Sequence, residues 1–434
     1  MAATAPCSGL PSWPPSWYAA TRNEAAPSKH LLGELRTDVC VVGGGYSGLA
    51  TALHLARAGT EVALVEQALL GWGASGRNGG QVHVGMRRDQ AWLEAKLGRE
   101  DARALWDLAL DGRDHLDWLI EHFAIDCSFR PGHLHADHRR HHLAASRRNA
   151  DLLHERYQYP HIRFVDEEEM RERVGSNAYH GGTFDARGGH LHPLNLALGI
   201  AHAAADAGAQ LFERAPITAI SRQHGFWRLE SQRGHVLARQ VVLAANGYLQ
   251  GLVPEIEARV LPIQNFIAVT EPLGAAEAAR LIRGPECVSD SRFVLYYFRI
   301  TPDHRLLFGG GESYGARSPA DIGAMVRRHM CNIFPALAGT RIEYAWGGTL
   351  AVTPSRLPFV RRIGPGFYNL SGYSGLGVTL APWFGKLVAD AIHGDPSRFD
   401  RLAALPVPRF PGGRLLRAPM LAAALSALAL RDRL

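Results

Sequence analysis

Apolar and polar positions along the chain fall into distinct patterns, and unbroken apolar runs come first. Val39-Cys40-Val41-Val42 suits a strand buried on both faces of a parallel sheet. Leu49, Ala52, Leu53 and Ala56 then recur at helical spacing as far as Gly59, and a second apolar run, Val62–Val65, ends in Glu66. The helical pattern returns at 91–123, read as two amphipathic helices, and at 143–157. It returns again from Pro193, placed as the first helical residue, through Ala207 to a Gly208 stop. Residues 132–136 and 210–212 read as short strands, and 217–220, 226–229 and 236–238 as a small meander. Residues 241–247 re-enter the parallel sheet. Residues 257–270 and 287–307 read as long strands of a second domain, with 293–300 and 305–310 forming a hairpin around Thr301-Pro302-Asp303-His304. A last strand, 367–371, leads through a glycine turn into a helix that runs to Ile392 and stops at Gly394.

Strand, Gly43-Gly44-Gly45-Tyr46-Ser47-Gly48, helix and second strand make a βαβ unit with G-x-G-x-x-G at Gly43, Gly45 and Gly48. Gly43 permits the tight turn, Gly45 lets a pyrophosphate approach the backbone, and Gly48 allows the helix to pack closely on the strand. The helix start, at Tyr46 and Ser47, offers free N–H groups and a partial positive charge to phosphates. Glu66 stands where an acid accepts hydrogen bonds from ribose hydroxyls and disfavours a 2′-phosphate. A glycine turn alone is weak evidence, but here strand, glycines, helix, stop and terminal acid all fall in register. The next stretch, Gly71-Trp72-Gly73-Ala74-Ser75-Gly76-Arg77-Asn78-Gly79-Gly80-Gln81, is too glycine-rich for helix or strand. It reads as a concave anion site of successive N–H groups, with Ser75, Arg77 and Asn78 as polar contacts.

At this point the chain resembles the FAD-dependent oxidoreductases of the D-amino-acid-oxidase type, in particular the gamma-glutamylputrescine oxidoreductase branch. In that branch G-W-G-A-S-G-R-N-G-G-Q follows the first βαβ unit and lies along the flavin. The resemblance covers nearly the full chain. It implies an α/β fold: a Rossmann-like FAD-binding domain with a mixed-sheet substrate domain. The implied organisation is an N-terminal arm at 1–30, a discontinuous FAD domain at 31–90, 187–252 and 350–405, a substrate domain at 91–186 and 253–349, and an amphipathic tail at 406–434. It implies FAD contacts at Gly73, Ser75, Arg77, Asn78, Gly79, Gly80 and Gln81, at Gly247 after the late strand, and at Gly372, Tyr373, Ser374, Gly375, Leu376 and Gly377. Relatives commonly carry histidine where this chain has Leu376. A helix N-terminus at that point would aim its dipole at the flavin edge where charge appears on reduction. The sarcosine-oxidase branch has a flavin-linking cysteine near 346–350, and this chain has no cysteine after Cys331, so the FAD is expected to be non-covalent. That branch also has a lysine beside the flavin for reaction with oxygen. Here Leu306 and Leu307 stand in its strand, which leaves the acceptor open between oxygen and another.

The covering sheet in such relatives carries substrate contacts. Alternation puts Tyr297 and Arg299 on one face, with Tyr296 and Phe298 on the other. An aromatic wall and a guanidinium fork suit an amine with a remote carboxylate; a packed face with a snorkelling arginine is the other reading. Tyr297, Arg299 and His83 are the substrate-site candidates, and no catalytic base is identified. His190 and His192 read equally as flavin-facing or structural. His133, His135, His138, His141 and His142 invite a metal reading, and strand spacing puts His133 and His135 on one face. No carboxylate or cysteine completes a site, so no metal is expected.

Composition narrows the remainder. A chain of 434 residues, 47% hydrophobic and 20% charged, suits a globular protein of about two domains. The net charge of +6 favours anionic ligands, yet no Lys/Arg face interleaved with aromatics points to nucleic acid. Five scattered cysteines, Cys7, Cys40, Cys127, Cys287 and Cys331, suggest reduced thiols, and no segment reads as a secretory signal or a transmembrane span. A cytoplasmic enzyme oxidising a small-molecule amine is the expectation. An amino-acid or sarcosine-type oxidase, a nicotinamide-dependent dehydrogenase and a flavin-bearing subunit of a larger complex stand as alternatives.

Overall fold

The apolar run at 39–42 is the inner half of a longer strand, Gly33–Val42, whose outer half is exposed. It lies parallel between Val62–Val65 and Gly234–Leu243, and every residue of Val62–Val65 is buried, as a strand covered on both faces requires. The computed structural model describes residues 12–249, 251–313 and 319–411. Cys7 and most of the apolar tail read at 406–434 therefore lie outside the described residues.

The first sheet is eight-stranded. Its main path runs Phe359–Gly364, Phe367–Ser371, Gly234–Leu243, Gly33–Val42, Val62–Val65, Gln210–Phe212, and only the Phe359–Gly364 edge is antiparallel along it. The meander and the returning parallel strand, read separately in the sequence, share one continuous strand, Gly234–Leu243. Its first half pairs antiparallel with Phe226–Ser231, and its second half pairs with Phe367–Ser371. The polar Arg239-Gln240 pair that interrupts the pattern sits where the strand exchanges one neighbour for the other.

One face of this sheet is covered by the helices Tyr46–Arg57, Pro193–Asp206 and Gly377–Ile392. Arg99–His122 joins them through Leu105, Leu108, Ala109, Leu116 and Leu119, so a helix grouped in sequence with the substrate part shares its core with the cofactor part. Periodicity showed that this helix has an apolar stripe, but not which layer the stripe meets.

The second sheet is nine-stranded, ordered Ile342–Val352, Leu261–Thr270, Leu306–Ser313, Tyr297–Ile300, Cys287–Asp290, Arg130–Ala136, Gly182–His190, Gln81–Val82, with Ile162–Val165 beside Gly182–His190. Two strands are shorter than the sequence suggests. Leu261–Thr270 begins only after a helical turn at Pro254–Glu257, where proline takes the first helical position. The stretch 287–307 breaks after Asp290, whose buried carboxylate accepts the N–H groups of Tyr296 (2.9 Å) and Arg292 (3.2 Å) and pairs with the Arg292 guanidinium. A side chain that captures its own neighbours' N–H groups in this way competes with the ladder. Burial raises the Asp290 pKa to about 6.

Tyr296 and Phe298 join the core under helix Ile322–Ile333, while Tyr297 turns to the opposite face, as alternation required. No helix among the described residues is long and apolar enough to cross a membrane.

Several histidines are buried without a carboxylate partner, and this sets an acid limit on stability. Burial lowers the pKa of His54 to about 2, and those of His115 and His192 to about 3, with neighbouring cations adding to the effect. Below about pH 6.5 the unfolded chain takes up protons that the folded chain refuses, so stability falls as pH falls until these rings protonate in place. Each such histidine costs about 2 kcal/mol between pH 6.5 and pH 5. Thermal melting should therefore show Tm dropping steadily from pH 7 to pH 5; a flat Tm over that range would contradict the assignment.

Candidate functional site

A cavity of about 670 Å3 opens at the carboxyl ends of the parallel strands, lined there by Val42, Val65 and Ala244. Gly33–Val42 has the next strand, Val62–Val65, on one side and the late strand Gly234–Leu243 on the other, so the crevice lies at the switch point of the sheet. Helix Tyr46–Arg57 starts at its edge with Gly45 as N-cap and no side-chain cap of its own. Tyr46 N–H instead meets Ser75 Oγ at 3.0 Å, from the glycine-rich loop. A Cβ on Gly45 would come within 2.8 Å of that same Oγ, and one on Gly43 within 2.7 Å of Ala244 O. Glu66 lines the cavity with its carboxylate anchored by Gly44 N–H (2.6 Å) and Ala68 N–H (2.9 Å), and burial raises its pKa. Its remaining lone pairs are available to a ribose.

A second helix, Gly377–Ile392, brings its own uncapped N-terminus to the other end of the same cavity through Gly377 and Val378. Ser47, in the first turn of one helix, and Tyr373, in the glycine turn before the other, hydrogen-bond to each other. Asn246, in the left-handed region (φ 48°), accepts the Gly372 N–H at 3.0 Å and so holds the glycine turn that precedes this helix. Thr349, Leu350 and Ala351, from the second sheet, form the facing wall.

Of the residues singled out from sequence, Gly43, Gly45, Tyr46, Ser47, Glu66, Gly73, Ser75, Asn78, Tyr373, Ser374, Gly375 and Gly377 line the cavity. Gly48, Arg77, Gly79, Gly80, Gln81, Gly247, Gly372 and Leu376 are not part of that lining. The loop residues among them shape the loop. Arg77 lies 4.0 Å over the Trp72 ring, donates to Trp72 O at 2.7 Å, and accepts Trp346 Nε1–H on its carbonyl at 3.0 Å. Gln81 donates to Val288 O at 2.8 Å. The loop is also less irregular than its composition suggests, with a 3-10 turn at Ala74–Gly76 and a short strand at Gln81–Val82. Sequence reasoning did not single out Asn246, Tyr248, residues 215–220 or Ala351. Most of these contribute backbone or apolar surface and carry no motif.

The substrate-site candidates sit apart from this lining. The Tyr297 ring is wedged between glycines, where a Cβ on Gly79 would fall 2.5 Å and one on Gly309 2.0 Å from it, and its hydroxyl donates to Asn265 Oδ1. Arg299 is 2% exposed. Its guanidinium donates to Gly79 O (3.1 Å), Leu191 O (3.2 Å) and Tyr18 Oη (3.3 Å), and also meets His190 Nδ1 (3.3 Å). With its donors thus directed, it braces the loop rather than facing an opening. His190 is further held by Pro285 O at 2.8 Å, and His192 caps helix Pro193–Asp206 by accepting Asn195 N–H at 3.1 Å, so both have structural partners. His83 meets the His133 ring edge-on at 4.4 Å, and burial pushes its pKa down to about 4.

The DAO family model, described as FAD dependent oxidoreductase, matches residues 38–391. The chain belongs to this family. It is 43% identical over 419 residues to the probable oxidoreductase OrdL of Rhizobium meliloti (strain 1021), covering 96% of this chain and 97% of that one. It is 40% identical over 421 residues to the gamma-glutamylputrescine oxidoreductase of Escherichia coli (strain K12), covering 96% and 98%. In fold it is similar to the glycine oxidase of Geobacillus kaustophilus, with a TM-score of 0.69 at 23% identity over 82% of this chain and 95% of that one. It is thus an FAD-dependent oxidoreductase. Its cavity suits the cofactor: helix starts without a side-chain cap of their own at both ends, backbone at Gly43 and Gly45 where a Cβ would clash, and no cysteine in the lining.

Proposed function

We propose that this protein oxidises a primary amine carrying a remote carboxylate, of the gamma-glutamylputrescine type, to an imine that water converts to aldehyde and ammonia. One observation carries the reading: the end-to-end likeness to gamma-glutamylputrescine oxidoreductase, 40% identical over 96% of this chain. In this reading Gly43, Gly45 and Ser47 hold the pyrophosphate of FAD, Glu66 its ribose, and Asn78, Thr349, Tyr373, Ser374, Gly375 and Gly377 its ring end, without a covalent link. FAD, when bound, supplies the two-electron acceptor for the carbon–hydrogen bond next to nitrogen.

The chain's own groups do the remainder. The start of Gly377–Ile392 offers N–H groups and the positive end of a helix dipole to developing negative charge. Gly79 and Gly80 are fixed by Tyr297, Arg299 and the Leu191 backbone, so the loop keeps its shape without reorganising. The second sheet packs on this loop through Tyr297, Arg299 and Trp346. The anaerobic absorption spectrum tests the reading. Purified yellow protein should bleach on addition of gamma-glutamylputrescine, and bleaching by glycine or sarcosine alone would move the substrate to an amino acid.

A further inference from the structure

A helix begins at each end of the cofactor cavity, and the two helices are locked together near their starts. A Cβ on Gly385, in Gly377–Ile392, would fall 2.5 Å from Ser47 O and 2.9 Å from Thr51 N, so backbone meets backbone at the first turn of Tyr46–Arg57. Thr51 Oγ1 donates to the same Ser47 O at 2.7 Å. The Tyr373 backbone belongs to the glycine turn that the reading above gives to the ring end, yet its hydroxyl lies 2.5 Å from Ser47 Oγ. The Tyr373 ring is buried and packs on Phe384 with centroids 5.9 Å apart, which leaves the phenol little room to swing. One side chain thus joins the turn before one helix to the first turn of the other.

Two hydroxyls that share one hydrogen bond spend one proton between them and keep the other. Tyr373 and Ser47 make no further hydrogen bond through these two oxygens among the described residues. A phenol, with an ordinary pKa of about 10, is far more acidic than an aliphatic alcohol and is the better donor of the two. Burial raises the Tyr373 pKa, so the phenol keeps its proton at any working pH. The pair is therefore ordered with Tyr373 donating to Ser47 Oγ, and the Ser47 proton is left over. Ser47 lines the cavity, and its N–H is a first-turn group that no helical carbonyl reaches. A hydroxyl proton and a backbone N–H on one residue, at the positive end of a helix, make a two-point donor for an anion. A donor that itself accepts a hydrogen bond is polarised and donates more strongly.

We propose that Tyr373 is a positioning residue for the cofactor's pyrophosphate: its phenol holds and polarises the Ser47 hydroxyl, and Ser47 meets a phosphate oxygen with its remaining proton and its backbone N–H. The inference rests on the placement of the FAD pyrophosphate at Gly43, Gly45 and Ser47 given above. Tyr373 itself touches no phosphate and acts through Ser47. It also ties the turn at 372–377 to helix Tyr46–Arg57, while Asn246 holds the same turn through the Gly372 N–H. The groups that receive the two ends of one FAD are thereby kept at a fixed spacing. Oxidised and reduced FAD carry the same pyrophosphate, so the relay favours both alike.

The test dilutes the FAD-loaded wild type, Tyr373→Phe, Ser47→Ala and the double variant, and reads released FAD by its fluorescence to give Kd. Thermal melting checks that each variant is folded. Ser47→Ala should weaken FAD binding about 10- to 100-fold, and Tyr373→Phe about threefold to tenfold. The double variant should bind FAD within about twofold of Ser47→Ala, because the phenol then has nothing to act through. Losses that multiply would overturn the relay, as would an unchanged Kd in Tyr373→Phe. The midpoint potential of the flavin in Tyr373→Phe should equal that of the wild type. A shifted potential would put the phenol at the ring, where the two redox states differ, and would overturn the proposal. If Ser47→Ala does not fold, the Kd and the potential of Tyr373→Phe decide alone. A wild type that takes up no FAD removes the cofactor reading itself. A wild type that holds FAD while Ser47→Ala holds it equally well removes the pyrophosphate contact, and the relay with it.

Discussion

Gly48→Ala should yield colourless protein. A Cβ at this position would fall 1.9 Å from Gly43 O and 3.1 Å from Gly43 C, both backbone atoms. Gly43 cannot step aside, because it sits in the left-handed region (φ 113°) with its N–H bound to Val65 O at 2.9 Å. To admit the methyl, helix Tyr46–Arg57 must move off the strand, which misplaces the N–H groups of Tyr46 and Ser47 that face the cavity. Overpacking of this kind costs about 1–3 kcal/mol in general. Here the whole displacement falls on the cofactor site, so titration of the apoprotein with FAD should show affinity reduced at least 100-fold. Gly59→Ala is the control. Gly59 also has positive φ (81°), but nothing lies within 4 Å of its added Cβ. It should lose about 1–2 kcal/mol of stability and stay yellow. Equal colour in both variants would refute the argument.

Arg299→Met is expected to destabilise the protein by about 3 kcal/mol or more. The methionine fills much of the space but leaves Gly79 O, Leu191 O and the Tyr18 hydroxyl without their donor, and each orphaned buried group costs about 1–3 kcal/mol. Lysine should not rescue, since one ammonium cannot reproduce a fork that serves several segments at once. Tyr18 comes from the N-terminal arm and Gly79 from the loop along the cavity, so the variant should also release FAD at lower urea than unfolding requires. Kinetics separate this bracing role from a substrate fork. Bracing predicts equal losses with carboxylated and plain amines, whereas a fork predicts that KM rises for carboxylated amines alone.

The two glycine motifs were legible because each is local. The unit from 39 to 66 carries its strand, turn, helix stop and acid within one contiguous stretch, and the turn at 372–377 does the same. In such segments steric rules decide conformation before any distant partner is met: Gly43, Gly372 and Gly375 have positive φ, and Pro193 takes the first helical position. Alternation likewise separated Tyr297 from Tyr296 and Phe298. Where the residues left two readings open, the cause is the same. Period and polarity tell which face of an element is buried, and leave open what buries it. Hence Arg299 was legible as inward-facing but not as a brace, because its partners come from residues 18, 79, 190 and 191.

The dinucleotide site, and the family whose glycine loop follows it, can be read from contiguous residues alone. Backbone sterics act over a few residues, so those elements carry their own instructions. That Asn246 holds the glycine turn before helix Gly377–Ile392, and that residues 349–351 wall the cavity, emerges only once the chain is folded. Those placements arise from strand pairings between distant segments. They are fixed by which apolar faces can be covered at once, a property of the whole chain rather than of any stretch of it.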